Sequence, residues 1–66
     1  MFIELTSNVW HDNERKNKVF INVDNICYMC KSYEGTEIVF NNKTFATVVE
    51  TSEEIMKMIN IMKTIN

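Results

Sequence analysis

Residues 51–63, Thr51-Ser52-Glu53-Glu54-Ile55-Met56-Lys57-Met58-Ile59-Asn60-Ile61-Met62-Lys63, carry the one clear helical period of the chain. Ile55, Met58, Ile59 and Met62 recur at i, i+3, i+4 and i+7, the spacing of a helix stripe that faces a core. Thr51 and Glu54 stand three apart as a capping box, and Glu53 and Glu54 suit the positive end of the helix dipole. Ile61 and Ile65 widen the apolar arc to roughly 160°, and Met56 lies outside it. One small sheet face covers less than that, so the helix predicts both a sheet to sit on and a second contact.

The residues before the helix read as short strands. Phe2-Ile3-Glu4-Leu5-Thr6 alternates with period two, and the register can continue through Val9. Residues 11–17 are polar and turn-prone, and Lys18-Val19-Phe20-Ile21-Asn22-Val23 alternates again, which predicts a hairpin with an extended tip. Asp24-Asn25 predicts a tight turn or bulge. Ile26-Cys27-Tyr28-Met29-Cys30-Lys31 is apolar on both faces, as expected of a strand that is central or lies at a subunit contact. Gly35 is the expected positive-φ position of the next turn. Residues 36–40 and 44–49 predict a hairpin around Asn41-Asn42-Lys43, with asparagine supplying the left-handed angles. The expected fold is therefore α+β: one domain over residues 1–66, a small twisted antiparallel sheet of about five strands with one C-terminal helix.

At 66 residues such a domain buries only about 60% of its unfolded surface, so it is expected to lean on a homo-oligomer for stability. A net charge of −2 lacks the basic stripe that neutralises phosphates, so nucleic acid is not an expected partner. The interrupted cluster Arg15-Lys16-Asn17-Lys18 reads as a solvated turn. There is neither a run of about 20 apolar residues nor a signal-peptide pattern. The expectation is a cytoplasmic protein, without membrane insertion, whose two cysteines are reduced.

No catalytic constellation emerges. Cys27-Tyr28-Met29-Cys30 has C-x-x-C spacing, but zinc wants four ligands and only His11 could add one. On a strand, i and i+3 point to opposite faces, which predicts two buried or half-buried structural thiols. His11 has no nucleophile and orienting partner on a rigid frame and reads as a solvated loop residue. Gly35 alone makes no phosphate-cradling loop. Neither a metal nor a cofactor is expected, and the chain is not expected to be an enzyme. Trp10, near the hairpin tip, reads equally as an interaction anchor or as a lid over the sheet edge.

The pattern resembles the FlbD-like family of small bacterial flagellar proteins, which includes the SwrD proteins. The resemblance rests on Phe2-Ile3-Glu4-Leu5-Thr6, on Phe20-Ile21-Asn22-Val23 with Ile26, and on Thr36-Glu37-Ile38 and Phe45. It continues in Val48-Val49-Glu50-Thr51 with Glu53-Glu54-Ile55. Residues 7–18 replace a short Gly-containing turn of that family, and the Asn-, Ile- and Lys-rich composition also suits a phage-borne relative. A second resemblance, through Ile3, Leu5, Thr6 and Glu53-Glu54-Ile55, is to carbon storage regulators of the CsrA type. The positions where those proteins carry RNA-reading arginines hold Ser7 and Thr51-Ser52 here.

The first resemblance implies a small non-enzymatic interaction module that acts through homo-oligomerisation and a protein partner. Met56, Met58, Ile61, Met62 and Ile65 are the candidate oligomer contacts. The alternative is a phage or mobile-element inhibitor that sequesters a nucleotide-like ligand. Trp10, His11, Tyr28 and Tyr33 would then be candidate ligand contacts, with Arg15 or Lys18 near phosphate.

Overall fold

The computed structural model describes residues 1–8 and 17–65, the side chains of Asn17 and Ile65 excepted. Five strands, β1 (Phe2–Ser7), β2 (Asn17–Asn22), β3 (Ile26–Ser32), β4 (Gly35–Phe40) and β5 (Phe45–Val48), precede one helix, α1 (Ser52–Ile65). The strands form one antiparallel sheet in the order β2-β1-β5-β4-β3, the expected α+β architecture. Any continuation of β1 through Val9 falls outside the described residues.

Alternation sorts the side chains. Ile3 pairs with Ile21, Leu5 with Val19, and Ile38 with Ala46 and Met29, so one face of the sheet is aliphatic. Ile55 and Ile59 of α1 close over that face, and with Ile3, Leu5, Ile21, Ile38 and Val48 they make the buried core. Met58 and Met62 pack against its margin. The capping box forms as the sequence predicts. The Glu54 N–H donates to Thr51 Oγ1 at 3.1 Å, and the Thr51 N–H donates back to Glu54 Oε1 at 3.3 Å.

Three local expectations are corrected. Of the two readings of β3, the central one falls: β3 is the outer strand beside β4, because strand order is settled by which partners close the core and not by a strand's own hydrophobicity. Cys27 and Cys30 are both exposed free thiols, not buried ones. A register shift between Ile26 and Tyr28 lets Cys27 bulge, and Cys30 pairs with Glu37 on the face away from α1. The tight turn expected at Asp24-Asn25 is a short 3-10 turn over residues 23–25, capped by the Asn22 side chain. In the β4–β5 loop Lys43, not an asparagine, takes the left-handed conformation, at φ 71°. Asn42 instead braces the loop, its Oδ1 accepting from the N–H and hydroxyl of Thr44 at 3.2 and 2.6 Å.

Gly35 is the positive-φ position the sequence predicts, at φ 154°. A Cβ there would meet the Val48 carbonyl oxygen at 2.0 Å, so the close approach of β5 demands glycine as much as the dihedral does.

Candidate functional site

Among the described residues β1 and β5 share one paired position, Ser7 with Val48, flanked by hydrogen bonds from the Asn8 N–H to the Thr47 carbonyl (2.9 Å) and from the Val49 N–H to the Thr6 carbonyl (3.0 Å). Completing the Thr6–Val49 pair would hand the Thr6 N–H to the Val49 carbonyl, just past β5. Instead the Glu50 carboxylate accepts it, at 2.9 and 3.1 Å, and also accepts the Thr6 hydroxyl at 2.9 Å. Thr36 Oγ1 donates to the Glu50 carbonyl at 2.8 Å, and Lys18 Nζ donates to Thr6 Oγ1 at 3.0 Å. Burial alone would raise the Glu50 pKa, but the Thr6 donors, Glu50's own N–H and the Lys18 charge together hold it below the ordinary value. Glu50 therefore terminates the β1–β5 ladder.

Below that junction the β5-side edge of β1 has no strand partner among the described residues. Met1 accepts from Val23 on the β2 side, whereas Thr6 bonds toward β5 and Glu50. Backbone polarity alternates along a strand, so the N–H and C=O of Phe2 and Glu4 point into the open edge. Met58, Ile61 and Met62 of α1 stand along it and, with Phe2, Ile3 and Glu4, enclose a groove of about 310 Å³. Phe2 also lines a second cavity of about 430 Å³, with Phe20, Phe40, Asn22, Asn25, Asn41 and Asn42 among its other lining residues. Phe2, Phe20 and Ile61 are 59%, 68% and 58% exposed; Phe2 shares one cavity with Phe20 and the other with Ile61.

The sequence candidates distribute unevenly over this geometry. Met58, Ile61 and Met62 converge on the groove, while Met56 does not. At 100° per residue Met56 and Ile61 stand about 140° apart, on opposite flanks of α1, so they do not form the single contact face expected of them. Both are exposed. Tyr28 on β3, Tyr33 at the β3–β4 turn and Lys18 on β2 line neither cavity and are not brought together, and Lys18 is engaged by Thr6. Trp10, His11, Arg15 and the Ile65 side chain lie outside the described residues.

Sequence reasoning missed Phe2, Phe20 and Glu50. Phe2 and Phe20 fall on the polar-phase positions of otherwise alternating strands, and that phase was the available signal. Among the described residues there is no cluster of metal-ligating side chains, and no helix is long and apolar enough to cross a membrane. No family model, curated protein or solved structure matches the chain.

Proposed function

We propose that the chain is a non-enzymatic interaction module, of the FlbD-like type its sequence resembles, which self-associates and holds a protein partner. The observation that carries this reading is the exposed side chains of Phe20, Phe2 and Ile61, linked through the two cavities that Phe2 lines, beside a strand edge unpaired among the described residues. Isolated exposed apolar residues are ordinary, but several linked through shared cavities, with backbone donors and acceptors beside them, have the chemistry of an interface.

Photo-crosslinking tests it directly. Benzoylphenylalanine placed at Phe20 or at Ile61 is expected to give discrete protein adducts in cells, whereas the same probe at Lys43 gives none. Absence of adducts from both positions rejects the reading.

A second reading, sequestration of a nucleotide-like ligand, draws on the 430 Å³ cavity, which Phe2, Phe20 and Phe40 line together with four asparagines. Titration with nucleotides and cyclic dinucleotides, followed by Trp10 fluorescence, separates the two: a saturable change favours the ligand, and no response favours the interface.

A further inference from the structure

We propose that Cys27 and Cys30 form a two-coordinate site for a soft monovalent ion, Cu(I), on the exposed outer strand β3. The site is independent of the interaction surface and owes its geometry to the bulge at Cys27.

In a regular strand the residues at i and i+3 point to opposite faces, so the sheet splits a C-x-x-C pair. β3 is not regular there. Ile26 pairs with Phe40 and Tyr28 with Val39, so two steps along β3 match one along β4 and Cys27 is the extra residue. The core side registers the lost parity: Ile26 and Met29 stand three apart, yet both pack against the core. Cys27, Tyr28 and Cys30 are left exposed, and both thiols are free. The bulge returns the two sulfurs to one side of the strand.

Spacing then selects the chemistry. Three residues of straight strand span about 10 Å, and the kink of a bulge brings Cys27 and Cys30 closer than that. A disulfide needs Cα atoms within about 7 Å, because its S–S bond is only about 2 Å long. Two metal–thiolate bonds of about 2.3 Å, laid end to end, hold the sulfurs roughly 4.6 Å apart and lengthen that reach by roughly 2.5 Å. The pair suits a bridging ion and not a direct bond.

Ligand count selects the ion. Among the described residues no third His, Cys, Asp or Glu completes a larger ligand group with the pair. Tetrahedral zinc needs four ligands, whereas Cu(I) is soft, prefers sulfur and is satisfied by two thiolates in line. Each sulfur gives up its proton to solvent as it takes the ion, and the complex that results carries a single negative charge. β3 ends the sheet, so its far side is open to ion and solvent among the described residues.

Anaerobic titration of the reduced full chain with Cu(I), added as its acetonitrile complex against bathocuproine disulfonate, tests the site. One ion per chain is expected. Cys27→Ser and Cys30→Ser each delete one of the two ligands, and each should weaken binding at least about a hundredfold, more than an outer-shell group is worth. Both side chains are exposed and the exchange is nearly isosteric, so circular dichroism and the melt should stay unchanged. A second readout needs no variant: one equivalent of Cu(I) should protect both thiols of the native chain from N-ethylmaleimide, counted by intact mass. The proposal is overturned if the native chain takes no copper from the chelator or if either serine variant binds like the native chain. Protection of one thiol alone, or two chains sharing one ion in sedimentation of the loaded protein, overturns it equally.

Discussion

Lys43 holds a left-handed backbone that costs an ordinary side chain on the order of 1 kcal/mol, and nothing in its hydrogen bonding depends on the lysine side chain. The loop is a three-residue connection in which the Lys43 N–H donates to the Phe40 carbonyl and the Phe40 N–H to the Thr44 carbonyl. Gly35 is the reverse case, where the contact with the Val48 carbonyl leaves no room for a Cβ. The two positions should therefore respond with opposite signs. Lys43→Gly is expected to stabilise by about 0.5–1 kcal/mol, and Gly35→Ala to destabilise by about 3 kcal/mol or more, both read from urea melts. Gly35 was legible in the sequence because one glycine in a turn has few other uses. Lys43 was not, because the asparagines beside it match left-handed preferences better. Their side chains are instead recruited to hold neighbouring backbone, a choice that only the folded loop reveals.

At the scale of elements, the helix was the most legible part of the chain. Its capping box and its Ile55–Ile59 stripe are local properties, written within two turns of sequence. The position of β3 was not legible, since an apolar strand looks the same at an edge as at the centre. The β1–β5 junction was equally hidden, because its closing group is a carboxylate 44 residues from the amide it serves. Glu50→Gln is expected to cost about 1–2 kcal/mol at neutral pH, discounted for partial solvent exposure. The sign with pH follows from the lowered pKa. The Glu50 contribution is fully present above the unfolded-chain value of about 4.3 and is lost as pH falls through the lower folded value. Thermal melts of the native chain and of Glu50→Gln should converge across that acid window; a gap that stays constant down to about pH 2 contradicts the assignment.

For the whole molecule, the apolar surface left over after folding is the dominant fact. Among the described residues seven buried aliphatic side chains form the core, while Phe2, Phe20, Phe45, Met56 and Ile61 remain exposed. The sequence signalled this surplus through the width of the helical arc, but it could not say which flank would be covered. Packing settled that: Ile61 borders the β1 edge and Met56 does not. A molecule stabilised by association has a melting temperature that depends on concentration. The midpoint is expected to rise by several degrees for each tenfold increase in protein. Ile61→Lys should flatten that dependence more than Met56→Lys does. Equal behaviour of the two variants contradicts a groove-side contact.

The seam beside Ser7 and Val48 has a consequence for local stability. Among the described residues the β1–β2 hairpin is joined to the β3–β5 meander by backbone hydrogen bonds only around that pair, while the bond from the Asn41 N–H to the Asn25 carbonyl at 2.9 Å extends the β3–β4 ladder past Ile26 and Phe40. The rest of the seam is held by side chains, the Glu50 carboxylate on Thr6 and the aliphatic core, so amide exchange is expected to enter there before it reaches the middle of either hairpin.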